Sequence, residues 1–180
     1  MDKQRMVNVL LLLFLALMII QVYTFIHEWA HALMVQIFGG QVNQFDVNLF
    51  GGSPHVKFSG DFTSTQRALI AIAGPILPVL LWFFLMIFLN KESHLFFQKI
   101  AILVSMGIMG TLLPNVIIPL VYETGGNVRG EDMGKFLANT GWNGYAVSAL
   151  VMLIMGFGIW MFTRKVKFVE ALKYVHPIPA

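Results

Sequence analysis

The sequence predicts an all-α polytopic membrane protein, a four-helix transmembrane bundle with a small β-hairpin between helices 1 and 2. Hydrophobic residues make up 57% of the 180-residue chain and charged residues 12%, far from soluble averages. Four apolar stretches are each long enough to cross the roughly 30 Å hydrocarbon core of a bilayer. Between the first two, the texture switches to short alternating runs. The length suits a single membrane domain, 1–180, with little left for a separate soluble unit. Cysteine is absent, which excludes a disulfide framework and a thiolate metal site. The net charge of +3 calls for no nucleic acid, because Lys and Arg flank the apolar stretches as topology signals do. The expected partner is the lipid bilayer.

The first stretch, Val7 to Phe38, exceeds the hydrocarbon core at 1.5 Å per residue, so it must tilt or emerge. Lys3, Arg5 and the leucine run give Met1 to Gln21 the look of a secretion signal. The apolar run is too long for one, however, and lacks a small-x-small cleavage site. From Gly39 to Arg67, Phe45, Val47 and Leu49 alternate with Asp46 and Asn48, and Val56 and Phe58 flank Lys57. Gly51-Gly52-Ser53-Pro54 separates the two runs, which predicts a β-hairpin. At the membrane surface its free edge could pair with an extended polypeptide. The second span is Ala68 to Leu89. The third, about Leu95 to Val121, is broken by Pro114 and Pro119 with Asn115 between them. A loop bearing Glu123, Glu131 and Asp132 leads to the fourth span, Tyr145 to Phe162, and residues 144–180 comprise that helix and a basic tail.

The far half of the first span contains His27-Glu28-Trp29-Ala30-His31. Two histidines four apart share one helix face, so both imidazoles can reach one metal ion. Glu28 lies beside them, where it could take a proton from water activated by that metal. By composition, roughly 0.004 such patterns are expected by chance. Ionisable groups in a span are costly and usually functional, and here three fall within five residues. A zinc hydrolase site generally has three protein ligands and one open position. Asp132, Glu131, Glu123, Asp46, Asp61 and His55 are the candidates for the third.

The chain resembles the site-2 protease family of intramembrane zinc metalloproteases. The matching features are His27-Glu28-x-x-His31 followed by Ala32-Leu33 and Gly39-Gly40, Ala73-Gly74-Pro75 opening the second span, and a proline-containing third span followed by an Asp near a Gly. They run from about residue 20 to 137, within an expected catalytic core of about 7–137. The resemblance implies one Zn²⁺ held by His27, His31 and Asp132, with Glu28 as catalytic base. It also implies hydrolysis of a membrane-protein or peptide substrate in or near the bilayer, in an integral multi-pass protein of a bacterial cell membrane. The chain departs from the family's third motif, Asn-x-x-Pro-x-Pro-x-x-Asp-Gly. Asp132 lies far beyond the expected position and precedes Met133, whereas Glu123 stands at the motif's spacing from Asn115. Asn115 could bond a ligand or substrate, or instead satisfy carbonyls freed by the prolines. Gly74 and Pro75 fit helix packing and entry geometry.

A non-hydrolytic membrane metal-binding protein, transporter or inactive scaffold is the alternative. Transporters place polar ligands on several spans, yet the second and fourth spans contain no ionisable residue. Orientation draws opposite expectations from two sources. Eight basic residues, including Lys3, Arg164 and Lys173, share the side of both termini, against Lys57, Arg67, Arg129 and Lys135 opposite. That bias places the termini in the cytoplasm, whereas the resemblance implies a site facing the cytoplasm and the reverse topology. On the charge rule, a cytoplasm-active reporter fused after Ala180 gives signal. Silence there overturns it.

Overall fold

A computed structural model describes residues 3–48 and 54–167. Four helices in it are long and apolar enough to span a membrane, at Met6–Ile37, Ser64–Phe88, Phe96–Glu123 and Gly144–Lys165. They belong to α1 (Lys3–Ile37), α2 (Ser64–Phe88), α3 (Leu95–Glu123) and α5 (Gly144–Lys165). Two antiparallel strands, β1 (Gln41–Asp46) and β2 (His55–Ser59), form the expected hairpin between α1 and α2. A short helix, α4 (Asp132–Thr140), occupies what the sequence reads as loop.

Helix α1 has 35 residues and is about 52 Å long, well over the bilayer core. Its first half exposes Leu10, Leu13, Phe14 and Leu17, as a lipid-facing helix does. Its second half buries Ala30, Ala32 and Val35 together with Glu28 and His31. That half packs against α2, whose opposite neighbours are α4 and α3. Helix α2 starts at a reciprocal cap in which Gln66 N–H donates to Thr63 Oγ1 and Thr63 N–H donates to Gln66 Oε1. Gly74 and Pro75 therefore fall in the middle of α2 rather than at its opening.

The third span is continuous. Pro114 and Pro119 lie inside α3 without dividing it. Proline removes one ladder donor each time, a loss that neighbouring groups can offset. Asn115 Nδ2 donates to the Thr111 carbonyl at 2.8 Å, and Ser148 Oγ on α5 donates to the Val116 carbonyl at 2.9 Å. Asn115 thus bonds the backbone of its own helix one turn back, at a carbonyl other than those of Gly110 and Asn115 that the prolines leave without a ladder donor.

The hairpin differs from expectation in place and in the extent of its first strand. Its first strand begins at Gln41, so Val47 follows the strand, and a bulge falls between Val42 and Gln44. Leu49 and the Gly51 to Ser53 turn lie outside the described residues. Instead of resting at the surface, the hairpin runs back along α1 toward mid-span. Phe45 meets Phe25 edge-on at 5.8 Å between ring centroids, and Gln21 Nε2 donates to the Val47 carbonyl at 2.7 Å. That polar bond inside a span satisfies backbone that lipid could not.

The main core joins Trp82 and Met86 of α2, Ile102, Leu112 and Val116 of α3, Leu137 of α4, and Val147 and Val151 of α5. Trp82 donates its indole N–H to Ser105 Oγ at 2.9 Å. A Cβ added at Gly158 would overlap the Trp82 ring, whereas one at Gly156 would meet open space. Gly158→Val is expected to destabilise the folded protein by roughly 1–3 kcal/mol through overpacking, and Gly156→Val by no more than about 0.5 kcal/mol. Thermal unfolding in detergent distinguishes the two.

Candidate metal centre

The helical turn that carries His27 and His31 faces α2 where α2 has Gly74. Had residue 74 a Cβ, that atom would lie 2.7 Å from His27 Nε2 and closer still to His31 Nε2. Glycine is therefore needed for the two helices to approach with both imidazoles between them, a more specific task than the packing role its sequence context suggested. His31 is anchored from behind, its Nδ1 donating to the Ile70 carbonyl at 2.7 Å. His27 stacks obliquely on Tyr23 at 5.9 Å. Its Nδ1 is buried without a hydrogen-bond partner among the described residues.

Asp132 arrives from α4. The chain leaves α3 at Glu123, turns through Gly125 in a left-handed conformation, and folds back so that α4 packs on α2. Gly134 permits this, because a side chain there would overlap the Val128 carbonyl. Gly130 has open space around it and plays no such part. Asp132 stands in the first turn of α4, where the helix dipole favours a carboxylate. Its Oδ2 lies 3.0 Å from His27 Nε2 and 3.2 Å from His31 Nε2, and the two Nε2 atoms are 3.2 Å apart. Burial raises the Asp132 pKa, but hydrogen bonds to His27 and His31 and the charges of His31 and Lys135 outweigh it. The carboxyl is held well below the usual carboxylate range.

These three atoms suit a metal ion. A neutral imidazole has one N–H, and the Ile70 carbonyl can only accept, so neutral His31 carries its proton on Nδ1. The lone pair on Nε2 then faces an Asp132 oxygen that is also an acceptor. Two acceptors remain 3.2 Å apart only with positive charge between them, a proton or a metal. Four-coordinate zinc keeps N and O donors roughly 2.0–2.1 Å away, which spaces neighbouring donors about 3.3–3.4 Å apart, close to the triangle seen here. The donor set, two imidazoles and a carboxylate with room for a fourth ligand, is one that catalytic zinc uses. Among the described residues, this is the one group of three His, Asp or Glu side chains placed to hold a metal.

Glu28, 8% exposed, lines the same cavity of about 670 Å³, with His55, Val56 and Phe58 of β2, Arg67, Glu131, Lys135 and Asn139. Of the remaining candidates for a third ligand, Glu131 and His55 reach the cavity wall without joining the cluster. Asp46 accepts from Asn48 N–H in a local turn, and Asp61 is exposed. Glu123 accepts a short hydrogen bond from Gly144 N–H and so caps α5. Sequence reasoning missed α4 and with it Lys135. The signals were present: Met133, Phe136 and Leu137 repeat at helical spacing, and Gly141 follows as a left-handed cap.

The fold and cluster define a multi-pass membrane protein whose histidine pair, His31 buried and His27 half-buried, could hold a metal together with Asp132. The chain belongs to the Peptidase M50B-like family, whose family model matches residues 5–123, so the resemblance to site-2 proteases stands. At family level this is membrane metalloprotease chemistry. The match covers the histidine pair, Glu28 and Gly74, and ends before Asp132. No curated protein and no solved structure matches the chain.

Asp132→Ala is expected to bind far less zinc than the wild-type chain, because two imidazoles alone grip zinc poorly. Glu123→Gln should keep full zinc content and lose about 1 kcal/mol of stability through its weakened cap. Metal analysis and thermal unfolding of the two purified variants separate these roles.

Proposed function

We propose that this protein is a zinc-dependent intramembrane endopeptidase in which His27, His31 and Asp132 hold one Zn²⁺ and Glu28 is the general base and acid. The observation that carries the reading is the convergence of three ligand atoms within 4.8 Å of one another, beside Glu28, inside an apolar helix layer. Bound there, zinc supplies a Lewis acid that activates water and stabilises charge on the scissile carbonyl oxygen. Glu28 takes a proton from the attacking water and returns it to the departing amine. His31, held by Ile70, keeps one tautomer throughout and presents Nε2 to the ion. A cavity of this size with polar lining has room for the water that the reaction consumes.

The substrate class is a membrane-protein or peptide segment presented in extended form. Peptide bonds within a helix are shielded by their own hydrogen bonds, so a strand edge near the ligands is useful. Strand β2 lines the cavity through His55, Val56 and Phe58, and its outer edge has no paired strand among the described residues. An unwound segment adding to that edge would run past Glu28. The setting is a multi-pass protein of a bacterial cell membrane.

Glu28→Gln should retain one zinc per chain and lose cleavage by a factor of at least about 100, the scale of general acid–base catalysis. His27→Ala and His31→Ala should lose metal and cleavage together. The readout is processing of candidate single-span membrane polypeptides by each variant reconstituted in vesicles, with zinc quantified on the same samples. Wild-type cleavage by Glu28→Gln removes Glu28 from this role. Zinc binding without cleavage of any candidate by the wild type favours a non-hydrolytic metal-binding scaffold.

A further inference from the structure

We propose that Lys135 is a positioning residue that makes Asp132 a one-oxygen ligand and so keeps a coordination position free for the reaction. This rests on the metal assignment above and concerns the oxygen of Asp132 that the assignment leaves unused. The carboxylate divides its work. Oδ2 faces both imidazoles, while Oδ1 lies 3.4 Å from the Lys135 ammonium one helical turn along α4. An aspartate that ligates through one oxygen retains negative charge on the other, and in a half-buried site that charge needs a partner. Lys135 supplies one. Its side chain is 51% exposed, so the ammonium is still hydrated and the pair is not a structural lock on the core. What it sets is the rotation of the carboxylate about its own axis.

Without the ammonium, no hydrogen bond among the described residues would hold Oδ1 away from a bound ion. The hydrogen bond to Oδ1 is the one from Lys135, and other polar groups on the cavity wall have partners or charges of their own. Arg67 turns its Nε to the Phe62 carbonyl at 3.1 Å, Asn139 spends its Nδ2 on the Lys135 carbonyl at 2.7 Å, and Glu131 and Glu28 are acidic. The carboxylate would then rotate to offer both oxygens. Two imidazoles and two carboxylate oxygens would already make four donors, so water would join as a fifth ligand and the scissile carbonyl would find no open position. The α4 backbone reinforces the arrangement. Lys135 N–H donates to the Glu131 carbonyl at 2.8 Å, so the Asp132–Lys135 spacing is fixed by the first helical turn.

The test compares wild type with Lys135→Met, Lys135→Gln and Lys135→Arg, each as the full chain in detergent, loaded with zinc or with cobalt(II). Cobalt gives intense visible bands when four-coordinate and weak ones when a fifth ligand joins. Wild type is expected to bind one ion per chain with intense bands. Either neutral variant should still bind one ion, show visible absorbance lowered several-fold, and lose kcat by about 10- to 100-fold with KM little changed. Lys135→Arg should restore both. Two neutral variants are used so that one misfolded protein does not decide the result. Spectra that match wild type in both neutral variants overturn the proposal, even if kcat falls, because Lys135 would then act on substrate. Failure of Lys135→Arg to restore the bands overturns it too. A wild-type protein that binds no metal overturns the metal assignment itself, and this inference with it.

Discussion

The hydrogen bond from His31 to the Ile70 carbonyl is the contact on which the site turns. It joins α1 to α2, assigns the imidazole proton to the face away from the cavity, and directs the other nitrogen at Asp132. It also requires the two helices to be close, which Gly74 permits. A lone pair aimed at a carboxylate oxygen is unfavourable unless a cation completes the set. The fold thus accepts an electrostatic liability in an apolar layer and arranges it around a single point.

Two kinds of support hold the arrangement in place. Apolar packing of α2 with α3, α4 and α5 around Trp82, Leu112 and Leu137 fixes where α4 can lie, and hence where Asp132 stands. Polar bonds inside the spans are few and specific: Gln21 to Val47, Trp82 to Ser105, Ser148 to Val116. Each satisfies a group that lipid cannot, two of them a backbone carbonyl and the third the Trp82 indole N–H. The hairpin, drawn along α1 by Gln21 and Phe25, forms part of the cavity wall instead of an appendage at the surface.

Much of this was legible in the residues. Spans could be counted from apolar length alone, because lipid leaves little choice but helix. The His27-Glu28-x-x-His31 face follows from helical spacing. The histidines' partner was harder to read, since Asp132 is distant along the chain and departs from the family's usual spacing. Its position depends on a backward turn through Gly125 and on close packing at Gly134. Helix α4 was hidden by its brevity and by the glycines before it, which read as loop. Pro114 and Pro119 read as breaks in the third span because proline normally removes a helix bond. Packed among α2, α4 and α5, α3 nevertheless runs as one helix. Hairpin depth could not be read from alternation, which reports strand character but not what the strand lies against.

The length of α1 has a consequence for the surroundings of the molecule. A helix about 52 Å long cannot stand upright in a hydrocarbon layer of roughly 30 Å, so tilt, local thickening or emergence of its ends must absorb the difference. Because His27 and His31 sit on this same rod, its inclination sets how far below the headgroups they lie. The depth of the chemistry is therefore shared between protein and lipid. Membranes of different thickness would expose different stretches of a passing polypeptide to the same pair of imidazoles.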